Sequence, residues 1–179
     1  DHFPAAEVLI PIREDIGKRP PLASLELLWT PHRGPHLLVS GFVHPPTESR
    51  AWQALKLAGE TDVLTVKGLE GSTDLPISRA CVTGRPNADG DGRLILHPRD
   101  HGCYGDDPRW DSLDSWAGQA LAALGGQGRL ANSLIWNAGT YLWQAGQCCT
   151  HDAGLEHCRA LLQTGKALRL LESIQQHCR

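Results

Sequence analysis

The sequence predicts an α/β fold, one sheet with flanking helices and a helical C-terminal third, and three observations carry that reading. The run HLLVSGFV from His36 to Val43 and the run VLTV from Val63 to Val66 are apolar enough for buried parallel strands. Between them lies one helical pattern, Ala51, Trp52, Leu55 and Leu57, closed by Gly59. Beyond Ser112, apolar residues recur at helical spacing almost to the end of the chain. Strand, helix and strand make a right-handed βαβ unit. The expected sheet has strands at 37–43, 63–67, 79–83 and 93–96.

The first segment, Pro4 to Gly17, places Ala5, Ala6, Leu9, Ile12 and Ile16 at near-helical spacing, and Pro11 inside it is expected to kink or divide the helix. Pro20-Pro21 delays the next element to Leu22, after which Leu22, Leu25, Leu27, Leu28 and Trp29 form a short apolar stretch ended by Pro31. Thr47 or Ser49 is the expected cap of the helix that follows. Asn87 to Gly92 opens like a calcium loop, but Pro98 stands where that loop needs a bidentate Glu, and a hairpin connection explains the segment better. Asp111 or Ser112 starts a helix through Leu124, closed by Gly125-Gly126. Leu130 to Ala145 is the next, with Asn137 a polar residue among core positions; Thr150 or Asp152 caps another, and Leu168, Leu171 and Ile174 continue a terminal helix.

Composition narrows the class. At 179 residues, 41% hydrophobic and 21% charged, the chain is one ordinary globular domain with a sizeable core. No apolar run approaches a membrane span, and the first residues lack the pattern of a signal peptide. A net charge of -3 offers no broad attraction for a polyanion. The six cysteines share no short repeated spacing and read as reduced thiols of a cytoplasmic protein. His97, His101 and Cys103 suit zinc chemically, yet only three such residues lie together, in a loop rich in Pro and Gly. With no Met and a start at Asp1, the chain is expected to be processed, truncated or a later portion of a longer protein.

The stretch VLTVKGLEGSTDLP, Val63 to Pro76, is the candidate site. A buried strand breaks at Lys67-Gly68 into an acid-bearing loop, the place where open α/β sheets do chemistry. Gly68 and Gly71 let the loop turn back, so that Glu70 and Asp74 can converge on one cation; an ordinary solvated turn is the alternative. Arg13 is either a clamp for a carboxylate or phosphate, or half of a surface ion pair with Glu14 or Asp15.

Read in order, FPAAEVLIPIREDIGKR, VKGLEGSTDLP, HPRDHG, SLIWNAGTYLWQAG and LLQTGKAL resemble the anthranilate phosphoribosyltransferases, in the wider group of nucleoside phosphorylase-like enzymes called glycosyltransferase family 3. The resemblance implies a partial sheet of that fold, with residues 1–179 as the C-terminal part of the α/β domain. The helical N-terminal domain and the loops for the phosphoribosyl donor would then precede Asp1. It implies transfer of phosphoribose from phosphoribosyl pyrophosphate to an aromatic amine such as anthranilate, in tryptophan biosynthesis, with Mg2+. Arg13 stands where the family's arginine meets the acceptor carboxylate, and Arg19 matches a second arginine. The family's acceptor-pocket histidine falls on Phe3, its Asn on Ala23 and its Gly-Pro on Glu26-Leu27, so the acceptor pocket is rebuilt. The family's Asp-Glu pair falls on Thr73-Asp74, leaving Asp74 and Glu70 for magnesium, one carboxylate fewer. A homodimer is compatible with the resemblance. The other class of reading is a non-catalytic relative that binds nucleic acid, against which the net charge of -3 weighs.

Overall fold

The computed structural model describes residues 7–17, 26–30, 32–87, 90–107 and 109–178. Phe3, Arg19, Ala23 and the first half of the expected apolar stretch after Pro21, with Leu22 and Leu25, lie outside the described residues.

Strands β1 (Leu38–Gly41), β2 (Val63–Val66), β3 (Cys81–Asn87) and β4 (Gly90–Leu96) form one four-stranded sheet in that order. β1 and β2 are parallel, with Leu38 opposite Val63 and Gly41 opposite Val66, while β3 and β4 add antiparallel. The crossover between the parallel pair is helix α2 (Pro45–Leu57), as the βαβ pattern predicts. All four residues of β2 are buried, because helices cover both faces of the sheet. Strand alternation divides them. Val63 packs with Leu38, Leu55 and Leu28 under α2, whereas Leu64 and Val66 join the larger core with Leu75, Ile77, Ile135, Trp136 and Leu155.

That larger core is completed by the helical third: α3 (Leu113–Leu124), α4 (Leu130–Gln144), α5 (His151–Gln163) and α6 (Lys166–His177). Ser112 and Thr150 are the caps of α3 and α5, each accepting a hydrogen bond from the backbone N–H three residues on. α4 and α5 cross so closely that a Cβ on Gly154 would sit 2.3 Å from the Gly139 carbonyl oxygen, so only glycine fits there.

Three local expectations are corrected. Helix α1 (Leu9–Ile16) runs unbroken through Pro11, which occupies its first turn, where no N–H has an intrahelical partner to lose. α2 starts at Pro45 with His44 at the cap position and no side-chain cap; Thr47 and Ser49 lie inside the helix, and the Ser49 hydroxyl bonds back to the Pro45 carbonyl at 3.3 Å. The hairpin strands are longer than apolar content suggests, pairing out to Asn87 and Gly90. Beyond Gly84, β3 pairs with β4 alone, so Pro86 sits on an edge that needs no donor. Among the described residues, no helix is long and apolar enough to cross a membrane.

Candidate functional site

The chain leaves β2 at Val66 and enters a loop that is held on every side. Leu69 to Gly71 make one 3-10 turn, and the Leu69 N–H donates to the Asp74 carbonyl at 2.9 Å, closing the loop on itself. Gly71 adopts φ 82, a left-handed conformation open to glycine. Gly68, at φ -83, is needed for a different reason than turning: a Cβ there would lie 2.1 Å from the Ser72 carbonyl oxygen. Gly41, at the end of β1, is in the same position, 2.1 Å from the Gly71 carbonyl oxygen. The loop therefore packs backbone against backbone on the carboxyl ends of both parallel strands.

Helix α4 fixes the loop from the far side. Asn137 accepts from the Leu75 N–H at 2.8 Å and donates to the Leu75 carbonyl at 3.0 Å, imitating a strand partner for a residue only 1% exposed. One turn further on, the Tyr141 hydroxyl donates to the Thr73 carbonyl. Burial pushes the Tyr141 phenol up to about 12, so it stays a donor through the physiological range. Asn137 is the polar residue that interrupts the apolar stripe of α4, and its duty is to hold this loop. The Tyr141 contact had no signal in sequence, where the residue fits the core pattern.

Glu70 is the one non-glycine residue at positive φ among the described residues, at φ 52 and ψ 27. A left-handed carboxylate residue costs about 1–2 kcal/mol, held here by the surrounding contacts. Glu70, Ser72, Asp74 and Asp107 line one open cleft of about 600 Å³, with Leu27 on its wall. Their commitments differ. Asp107 accepts from the Ile77 and Ser78 N–H groups at 3.0 and 3.3 Å and from the Ser78 hydroxyl at 2.5 Å. Asp74 accepts only from the Ser72 hydroxyl, at 3.3 Å, and Glu70 has no side-chain partner among the described residues. The free oxygens in the cleft belong to Glu70 and Asp74.

On the other side of Asp74 an apolar groove of about 390 Å³ runs between α3 and α4, with Trp116, Leu130 and Leu134 on its walls. The structure thus brings Glu70 and Asp74 into one cleft and adds Asp107, which the sequence reading missed. Arg13 is exposed on α1, without a side-chain partner among the described residues, and lines neither cavity. Among the described residues no three or more of His, Cys, Asp and Glu gather closely enough to hold a metal ion by themselves. The donor set available is two carboxylates on an open cleft, which suits a Mg2+ that arrives with phosphate oxygens and keeps part of its water. The residues thus fit a shared metal, not an all-protein cage.

Of the zinc candidates, His97 is exposed, whereas His101 and Cys103 are engaged by neighbours. His101 bonds to Asp152 at 2.6 Å and meets His151 edge to face, and Cys103 lies 3.7 Å from the Arg159 guanidinium.

No family model matches the sequence. The chain is 30% identical over 178 residues to the anthranilate phosphoribosyltransferase of Verminephrobacter eiseniae, and 27% identical over 178 residues to that of Paracidovorax citrulli. Each match covers 97% of this chain, but 52% and 51% of the relatives, so the chain spans about half their length. A crystal structure of an anthranilate phosphoribosyltransferase from Thermus thermophilus superposes with a TM-score of 0.71 at 23% identity, over 95% of this chain and 51% of that one. At that identity the likeness concerns the fold.

Proposed function

Because the chain is related along nearly its whole length to about half of an anthranilate phosphoribosyltransferase, we propose that it forms the acceptor- and metal-binding portion of a phosphoribosyltransferase. The observation that carries the proposal is the loop after β2, where a strained Glu70 and a half-committed Asp74 face one cleft at the carboxyl end of the parallel strands. In the reaction, the bond from the ribose anomeric carbon to pyrophosphate breaks, the bond to the acceptor nitrogen forms, and the amine loses a proton.

Glu70 and Asp74 are the residues that would hold Mg2+, together with phosphate oxygens of the donor. When bound, magnesium supplies charge to offset the departing pyrophosphate. Ser72 orients Asp74 through its hydroxyl. Asn137 and Tyr141 fix the loop backbone, so the two carboxylates need not reorganise as charge develops. Arg13, and with it Arg19, is assigned to the carboxylate of the acceptor, and Phe3 to its ring. No described residue in the cleft is needed as a strong base, since an aromatic amine is already a nucleophile. The acceptor is an aromatic amine such as anthranilate or a relative of it. The helical domain and donor loops belong to the other half of such an enzyme, which works in the cytoplasm as a homodimer.

The test separates metal from acceptor. Asp74→Ala and Glu70→Ala each weaken Mg2+-dependent binding of pyrophosphate, read by calorimetry, and leave aromatic acceptor binding intact. Arg13→Ala does the reverse. Residues 1–179 alone transfer no phosphoribose to anthranilate. If none of these substitutions changes pyrophosphate or acceptor binding, the transferase reading fails.

A further inference from the structure

A third cavity, of about 410 Å³, lies between α2 and the end of β1. Its construction follows from the two periodicities. On α2, Thr47, Arg50, Ala51 and Ala54 fall at i, i+3, i+4 and i+7 and line the cavity, while Glu48 and Leu55 turn to the sheet. The small Ala51 and Ala54 leave the space; Phe42, Leu27 and Leu28 supply apolar wall. On β1, Ser40 shares the face of Leu38 and continues the row that packs under α2, but where that row should offer another apolar side chain it offers a hydroxyl.

Ser40 is 3% exposed, lines the cavity, and has no side-chain partner among the described residues. Its cross-strand neighbour Thr65 shows what a satisfied hydroxyl looks like here: it donates to Glu48 at 2.7 Å and accepts from the Trp52 indole at 3.1 Å. The Ser40 hydroxyl is not a buried orphan; it opens onto the cavity, where its hydrogen-bonding capacity is left for whatever occupies the space. Arg50, at the mouth, carries a charge with no partner among the described residues.

We propose that this cavity binds a small carboxylate with a compact apolar body, its carboxylate against the Arg50 guanidinium and within reach of the Ser40 hydroxyl. A planar fork and one hydroxyl match a carboxylate. A phosphate would need more. The start of α2 gives it nothing, because Pro45 and Pro46 have no N–H, and those of Thr47 and Glu48 already bond to the His44 carbonyl at 2.9 and 3.3 Å. The site is separate from the Glu70 and Asp74 cleft, sharing with it only Leu27, and does not depend on the transferase reading.

Titration of the 179-residue chain with benzoate and isovalerate, followed by NMR, tests the proposal. Benzoate saturates, moves the amides of Ser40, Gly41 and Arg50, and binds about tenfold or more tightly than neutral benzamide. Arg50 is exposed, so Arg50→Gln leaves the thermal midpoint in place while weakening benzoate about tenfold. Ser40→Ala weakens it roughly threefold. Arg33→Gln, at a different cavity, changes nothing. The proposal is overturned if neither carboxylate saturates, if benzamide or inorganic phosphate binds as well as benzoate, or if Arg50→Gln leaves benzoate affinity unchanged.

Discussion

Replacing Asn137 by Ala removes the clamp between α4 and the acidic loop. Two hydrogen bonds to the Leu75 backbone disappear, along with a third from the amide to the Ser133 carbonyl at 2.9 Å. The Ser133 carbonyl keeps its place in the helix ladder. The Leu75 N–H and carbonyl do not, because Leu75 is 1% exposed and has no strand neighbour to take them. A buried backbone group left unpaired costs about 1–3 kcal/mol, so the two together cost about 2–4 kcal/mol once some water reaches the loop. Tyr141→Phe, which frees only the half-buried Thr73 carbonyl, costs about 1 kcal/mol. Urea unfolding of the 179-residue chain measures both losses. Hydrogen exchange then locates them: in Asn137→Ala the amides of Leu75 and Leu69 exchange faster than those of Leu64 and Val66 in the neighbouring strand. A loss below about 0.5 kcal/mol, or unchanged protection at Leu69 and Leu75, would refute the idea that α4 holds the loop in place.

Glu48 is fully buried and accepts from the Arg93 guanidinium at 2.7 and 2.9 Å and from the Thr65 hydroxyl at 2.7 Å, so Glu48→Ala removes these bonds and destabilises the chain by about 1–3 kcal/mol in urea unfolding, with Glu48→Gln losing less. Gly41→Ala drives a Cβ onto the Gly71 carbonyl and costs about 1–3 kcal/mol, with NMR shift changes confined to the 68–74 loop and the end of β1. His151 has its pKa lowered from 6.5 to about 4, first by burial and then by the facing His101. The unfolded chain takes up that proton near 6.5 and the folded one does not, so the contribution is whole above pH 6.5 and is lost as pH falls toward 4. In His151→Gln the stability curve between those limits flattens, and an unchanged slope would reject the assignment.

Where sequence succeeded, one period decided the matter. Leu38, Leu64 and Val66 had to be strand because they form short apolar runs between breakers, and α3 to α6 had to be helix because their apolar residues recur every third or fourth position. The loop after β2 was legible for the same reason: an apolar strand ending in Lys-Gly has few ways to continue. What stayed hidden depends on partners far along the chain. Asp107 meets the loop segment about thirty residues earlier, and Asn137 meets Leu75 sixty-two residues away. Nothing in spacing encodes those contacts. Glu48 was unreadable in another way. It stands in a polar run, Thr47 to Arg50, that looks solvated, and only the inward turn of α2 buries it beside Arg93. Pro11 misled because its penalty depends on helix position, and that position is set by where the first turn begins.

The three carboxylates of the cleft form a sequence of decreasing commitment, so the groups that hold the loop differ from those left free. Asp107 spends both oxygens on Ile77 and Ser78 and so works as a structural bracket. Asp74 gives one oxygen to Ser72 while its own carbonyl closes the turn through Leu69. Glu70 gives nothing, and its backbone is held in a conformation it would not choose alone. Had the free carboxylates also been the ones that hold the loop, binding a cation would have pulled the loop apart. Because Asp107, Asn137 and Tyr141 carry the structure instead, the cation proposed for Glu70 and Asp74 would leave undisturbed the backbone that positions them.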